Sequence, residues 1–279
     1  MPIKMALQGP SGSGKTYSAL LLAYGLSQNW SKIAVIDTEN RSSELYADLG
    51  PFLTLSISAP YSPEKYVEAV HLCEKTGIDV IIIDSLSHEW DGSGGILDIH
   101  GNMAGNSFTN WSKLTPRHND FVQTILQSRC HIIGTLRSKQ DYVLSEKNGK
   151  MVPEKVGLKA ITRDGMDYEF TIVFDLDYKH QATCSKDRTG LFSSQPEFRI
   201  TEQTGYLIRK WCIGTTTVPN YPDGLQKVEQ RINDCLSLPE LLDLFHDQAK
   251  ETQNTLAPLF TARRKELLPI NHNSSHLKM

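Results

Sequence analysis

Paired cysteines, long apolar runs and a strong net charge are all missing from this chain of 279 residues. The five cysteines, Cys73, Cys130, Cys184, Cys212 and Cys235, are scattered, odd in number, and form no C-x-x-C pair. That spacing argues against a disulfide framework or a zinc site and fits free thiols in a reducing, cytoplasmic setting. No apolar stretch approaches the roughly 18 residues of a membrane-spanning helix, so no membrane partner is expected. Residues 1–7 do not read as a signal peptide, because they are too few and run straight into a glycine-rich loop. The net charge of -3 supplies no global attraction to nucleic acid or lipid, so any such binding must come from local patches. No internal repeat is visible. A hydrophobic content of 39% and a charged content of 22% are ordinary for a globular protein.

Residues 9–16, Gly9-Pro10-Ser11-Gly12-Ser13-Gly14-Lys15-Thr16, fit the G-x-x-x-x-G-K-[ST] phosphate loop at every defined position. The flanks agree: Ile3 to Leu7 predicts a short strand, and Thr16 to Leu26, rich in Ala and Leu, predicts a helix. Small residues let consecutive backbone N–H groups face an anion, and the helix N-terminus adds partial positive charge there. On this pattern Lys15 reaches the β- and γ-phosphates of ATP, and the Thr16 hydroxyl ligates Mg²⁺.

Lys32 to Asp37 is a nearly continuous apolar strand, the mark of a parallel strand covered on both faces, and it ends in Asp37-Thr38-Glu39. Carboxylates at that end lie on the edge where α/β sheets bind ligands. Ser62-Pro63 opens a helix with Tyr66, Val67, Val70 and Cys73 as its apolar stripe, and Gly77 closes it. Val80 to Asp84 is a β-branched run ending in Asp, the Walker B pattern, which aims the Asp84 carboxylate at the magnesium. Asp91 to Asn110, rich in Gly and Asn, predicts a long loop, and Thr115-Pro116 the start of a helix carrying Phe121, Val122, Ile125 and Leu126. His131 to Leu136 predicts another strand. From Arg137 to Arg163 seven basic residues face three acidic ones, and Asn148-Gly149 suggests a hairpin turn. Tyr168 to Asp177 and Gln181 to Ser185 predict two further strands, with Thr201 capping a short helix beyond them. Pro219 to Gly224 reads as a linker. Helices are then expected around Leu225, Val228 and Ile232, after Ser237, and through Leu256, Leu259, Phe260 and Leu267. The expected organisation is a core over 1–218, a helical appendage over 219–270, and a disordered polar tail over 271–279.

Together, Gly9 to Thr16, Asp37-Thr38-Glu39 and Val80 to Ser85 resemble the ATPase core of the RecA-like branch of phosphate-loop proteins. The longer pattern is similar to phage and prophage RecA-like ATPases that are labelled as AAA-domain nucleotide-binding proteins. It includes Asp84-Ser85-Leu86, Trp111, Thr135 to Lys139, Arg163-Asp164-Gly165, Tyr168-Glu169-Phe170 and Lys186-Asp187-Arg188. The resemblance spans roughly residues 1–214. It implies an α/β fold with a mainly parallel sheet flanked by helices, and the catalytic glutamate after the strand next to the phosphate loop, which Glu39 matches. Some members of the group are similar to recombinases and work beside single-strand annealing proteins. Single-stranded DNA and phage recombination or replication proteins are therefore the partners it implies.

Several roles stay open at this level. Glu39 suits a residue that orients water in line with the γ-phosphate, and Glu89, five residues past Asp84, is its rival. Thr135 is either a γ-phosphate contact or a satisfied strand-end hydroxyl. His88 lacks a third ligand at metal-site spacing. Lys186 and Arg188, two apart on an extended segment, point to the same side. By resemblance to hexameric and filamentous motors they reach a neighbouring subunit's γ-phosphate in a homo-oligomer, ring or filament; otherwise they are solvent-facing cations. Phe108, Trp111 and Tyr142 are candidate base-stacking residues. A regulatory or scaffold ATPase acting on a protein partner, without DNA, is the alternative.

Overall fold

The computed structural model describes residues 1–147, 150–214, 228, 230–232 and 234–267, with the backbone alone described over 140–147 and 150–158 and at 251, 254, 255, 258, 262, 265 and 266. It divides into two compact units, Met1–Thr216 and Thr217–Met279.

The first unit is built on an eight-stranded sheet. Its strands are β1 (Lys4–Gly9), β2 (Ile33–Asp37), β3 (Leu53–Ser56), β4 (Val80–Asp84), β5 (His131–Lys147), β6 (Lys150–Ala160), β7 (Ile172–Leu176) and β8 (Ala182–Asp187). The order across the sheet is β3-β2-β4-β5-β1-β7-β8, with β6 paired to β5 alone. The pairs from β3 to β7 are parallel, while β7–β8 and β5–β6 are antiparallel.

Side chains alternate across a strand, and here the alternation feeds two cores. Met5, Leu7, Val35, Ile82, Ile133 and Phe174 face one side, covered by α1 (Lys15–Ser27) and α6 (Glu202–Cys212). Ala6, Ile36, Ile81, Ile83, Ile132 and Val173 face the other, covered by α2 (Pro63–Lys75) and α5 (Ser107–Gln127). Burial on both faces is why β2 and β4 read as unbroken apolar runs.

Three expectations fail in the region after β4. The stretch 91–110 is not a long loop: α3 (Ser87–Asp91), α4 (Ile96–Asn102) and the start of α5 occupy most of it. Three of its glycines, Gly92, Gly94 and Gly95, serve close packing instead. A Cβ on Gly94, which has φ +74, would lie 2.2 Å from Pro60 Cβ. Helix α5 begins at Ser107, capped by Asn106, whose side chain accepts from the N–H groups of Phe108 and Thr109. Pro116 therefore sits inside the helix rather than at its start. The strand expected to end at Leu136 continues to Lys147 and pairs with β6, so the basic stretch forms an antiparallel ribbon, in keeping with the hairpin reading. The Asn148-Gly149 turn lies outside the described residues. Downstream, Met166–Glu169 is a 3₁₀ turn, and only Ile172–Leu176 of the expected 168–177 segment is strand.

In the second unit, helices Leu238–His246 and Lys250–Leu267 pack Leu241, Leu244, Leu256 and Phe260 against Ile232 and Cys235. The Ser237 hydroxyl caps the first of them by accepting from Glu240 N–H. The expected linker, Leu225 and the tail from Asn271 lie outside the described residues.

Helix α1 carries the phosphate loop at its N-terminus, so its seating matters, and two glycines set it. A Cβ on Gly205 would fall 2.3 Å from the Leu22 carbonyl oxygen and 2.9 Å from Gly25 Cα. Gly205→Ala is expected to destabilise the fold by about 1–3 kcal/mol through overpacking. Gly101→Ala, where nothing lies within 4 Å, should be neutral or slightly stabilising. Urea denaturation of both variants measures this, and equal midpoints would contradict the close α1–α6 contact.

Candidate active site

Parallel register aligns the ends of the central strands. Asp37 pairs with Asp84, Ile83 with Gly134, Leu7 with Thr135 and Gly9 with Arg137. The chain therefore delivers the phosphate loop, two carboxylates, a threonine and an arginine to one edge. Because β5 lies between β1 and β4, Thr135 stands next to Asp84.

The buried Asp84 carboxylate, only 3% exposed, accepts from Thr16 Oγ1 at 2.6 Å and from Thr135 Oγ1 at 2.5 Å. Burial raises its pKa, and the two hydroxyl donors oppose that shift. Lys15 Nζ donates to the carbonyls of Gly9 and Pro10 at 2.9 and 2.8 Å. Burial lowers its pKa, while Asp84 and Glu39 pull it back up. The loop backbone needs its glycines: Gly12 and Gly14 have φ +80 and +83, where side chains are strained. A Cβ on Gly9 would meet both the Leu176 carbonyl oxygen and Ser13 Oγ at 2.6 Å. The Ser13 hydroxyl is buried without a hydrogen-bond partner among the described residues.

Asp37 is consumed by architecture. Its carboxylate accepts from the N–H groups of Glu39, Arg41 and Ser43 and from the Ser43 hydroxyl. That turn carries Glu39 to the rim of a cavity of about 520 Å³, which Ser11, Gly12, Gly14, Lys15, Thr16 and Asp84 also line. The Glu39 carboxylate is held by Arg137, whose Nε donates to Oε1 at 2.8 Å and whose Nη2 donates to Oε2. Burial would raise the Glu39 pKa, but the Arg137 guanidinium and His88 outweigh it and hold it below the usual carboxylate range. His88 Nδ1 lies 2.8 Å from Thr38 Oγ1, the ring stacks on Tyr61, and Nε2 is 3.9 Å from Glu39.

The structure thus gathers Gly12, Gly14, Lys15, Thr16, Glu39 and Asp84 at one cavity. It places other candidates elsewhere. Thr135 is fully buried with its hydroxyl committed to Asp84, so it orients that carboxylate and does not line the cavity. Glu89 is buried on the α5 side, 3.0 Å from His118 Nδ1. Lys186 and Arg188 share a side, as their spacing implies: Lys186 Nζ donates to the carbonyls of Asp167 and Tyr168, and Arg188 Nη2 to Tyr168. Lys186 pairs with Val173, and Arg188 N–H donates to the Thr171 carbonyl, so they flank the start of β7, level with Met5 and Ala6 and not with Gly9. From sequence, Arg137 belongs to the basic stretch and to the Thr135 to Lys139 run, without a role of its own; its role at the cavity depends on a strand pairing that the residues alone do not declare.

The donor set fits a magnesium ion bound with a nucleotide. Mg²⁺ keeps several waters and takes one or two protein oxygens together with phosphate oxygens, and here Thr16 Oγ1 and the Asp84 carboxylate supply them. Among the described residues no group of three His, Cys, Asp or Glu side chains could hold a metal ion unaided. No helix among them is long and apolar enough to cross a membrane.

A family model described as an AAA domain matches residues 1–203. Comparison with curated proteins gives no match.

Asp84 depends on both hydroxyls, since a buried carboxylate stripped of a donor retains its desolvation penalty. Thr135→Val, which keeps the shape, is expected to destabilise the protein by about 1–3 kcal/mol, with Thr135→Ser restoring most of it. Chemical denaturation tests this, and a neutral Thr135→Val would mean that the Thr135–Asp84 bond contributes nothing.

Proposed function

The chain belongs to the AAA-domain family, a nucleotide-binding domain of ATPase type, and from that premise we propose that it hydrolyses ATP with Mg²⁺ at the cavity behind Lys15. The observation that carries the proposal is the convergence of Lys15, Thr16, Asp84 and Glu39 on one 520 Å³ cavity. Lys15 and the first-turn N–H groups of α1 hold the phosphates. Thr16 and Asp84 would hold the metal, whose positive charge would offset the negative charge of the phosphates. Glu39, at the rim and held by Arg137, orients the attacking water. Glu89, locked to His118 on the far side of α3, is poorly placed for that task.

Two finer elements complete the reading. Lys186 and Arg188 flank the start of β7 and are not level with Gly9 of their own phosphate loop, so any contact they make with a γ-phosphate comes from a neighbouring copy in a ring or filament. Single-stranded DNA is the proposed partner, in phage or prophage recombination or replication. A second cavity, of about 580 Å³, is lined by Trp90, Trp111, Lys139, Lys159 and Arg163, with Asp91 and Asp164 as well. The two indole rings stack with centroids 5.9 Å apart, and Phe108, three residues before Trp111, is 87% exposed. Aromatic faces beside cations are the general means of holding an unpaired strand. The β5–β6 ribbon extends this basic character through Lys147, Lys150 and Lys155, whose side chains, like that of Tyr142, lie outside the described residues.

Phosphate release should be abolished in Lys15→Ala and reduced by at least about a hundredfold in Glu39→Gln, while Glu89→Gln stays active if it folds. A fully active Glu39→Gln would remove Glu39 from the chemistry. Mixing inactive Lys15→Ala with inactive Arg188→Ala should restore part of the rate if Arg188 acts across an interface; background activity in confirmed mixed oligomers would exclude this.

For DNA, replacing Lys147, Lys150 and Lys155 by Ala should weaken binding of a single-stranded oligonucleotide. The salt dependence should flatten by roughly 0.7 log units per lost phosphate contact. Unchanged affinity and slope would favour a protein partner instead.

A further inference from the structure

Among the described residues lining the cavity, Arg137 is the one strong cation besides Lys15, and the phosphate-loop pattern gives it no task. Its main chain is fixed: the N–H donates to Ser87 Oγ at 2.9 Å, and the carbonyl accepts from Ile161 N–H at 2.7 Å. Its side chain is 43% exposed, so the guanidinium can swing from a rigid anchor. The two N–H groups it turns to Glu39 form the planar fork that suits carboxylate and phosphate alike. Beside it, the buried Ser138 hydroxyl has no hydrogen-bond partner among the described residues and lines the same cavity.

A carboxylate gripped by both N–H groups of an arginine is a poor acceptor for a further proton or water. Its lone pairs are engaged and its basicity is lowered. Glu39 in this arrangement is latched. A terminal phosphate in the same cavity is a more highly charged ligand for the same fork. Within the ATP-site reading on which this step rests, we infer that Arg137 is a positioning residue exchanged between two anions. It holds Glu39 in the arrangement described here, moves to the terminal phosphate of a bound triphosphate, and thereby frees the carboxylate to orient water. The exchange would tie the catalytic carboxylate to the presence of a third phosphate, the group that a diphosphate lacks.

The other charges around Glu39 do not substitute for Arg137. His88 is a weaker partner at 3.9 Å, and burial together with Arg137 lowers its pKa. Lys15 is engaged with its own loop carbonyls. Asp84 and Asp91 are negative.

A binding cycle without turnover tests the latch. The affinities of a slowly hydrolysed ATP analogue and of ADP, each with Mg²⁺, are measured for wild type, Glu39→Gln, Arg137→Ala and the double variant, with Lys15→Ala as the site control. Glu39→Gln is expected to raise the preference for the analogue over ADP by about five- to tenfold, because the weakened pair no longer competes for Arg137. Arg137→Ala should lose most of that preference with ADP affinity little changed, and in its background Glu39→Gln should add nothing. The same gain from Glu39→Gln in both backgrounds would show simple repulsion between Glu39 and phosphate and overturn the latch, as would no gain in either. Nucleotide affinity that is independent of Lys15, or absent from the wild type, would overturn the site reading and the latch together. Unaltered ADP binding by the Glu39 and Arg137 variants is the control for folding.

Discussion

The Asp84 carboxylate and its two hydroxyl donors are the interaction on which the rest of the site depends. A buried anion with no full counter-charge is tolerated only when its lone pairs are engaged. Meeting that demand fixes three elements at once. Thr16 comes from the first turn of α1, Thr135 from β5, and Asp84 from β4. The strand order follows the same logic, because Thr135 reaches Asp84 only if β5 separates β4 from β1. Helix α1 is then held against the sheet edge at its N-terminus by Thr16 and along its length by the glycine contact with α6. The phosphate loop inherits a rigid frame at both ends.

Charge is distributed across the cavity in a graded way. Asp84 is deep and in no ion pair among the described residues, Lys15 is half-sheltered, and Glu39 and Arg137 sit at the rim. Burial dominates the innermost group and raises its pKa. For Glu39 the arginine wins over burial and the pKa falls. The deep carboxylate suits a cation and the rim carboxylate suits a water. Their environments, not their chemistry, separate the roles. Asp37 shows how such placement is achieved. It sits level with Asp84 in the register yet spends every oxygen on the turn that presents Glu39.

Much of this was legible in the residues. Gly9 to Thr16 has a mechanism in each defined position, and the apolar runs of β2 and β4 end in acids because buried parallel strands must stop at the binding edge. The two-sided burial of the sheet followed from those runs. Other parts were not legible. Asn106 rather than Thr115 starts α5, since a proline is tolerated inside a helix that is already capped and packed. The glycines at 92, 94 and 95 looked like loop formers, whereas they are small residues at tight contacts. Arg137 could not be assigned because its partner lies 98 positions away, across a pairing no local pattern encodes. Thr135 was visible as a strand-end hydroxyl, but its alternatives could be separated only by knowing that Asp84 stands beside it.

The central claim, that Asp84, Thr16 and the phosphate loop form one magnesium–nucleotide site, is tested most directly by a crystal structure with Mg²⁺ and a slowly hydrolysed ATP analogue. The account predicts phosphates on the backbone of Gly12 to Thr16, Lys15 withdrawn from the Gly9 and Pro10 carbonyls, and the metal beside Thr16 Oγ1 and Asp84. A nucleotide bound elsewhere, with Lys15 still on those carbonyls and no metal near Asp84, would contradict it.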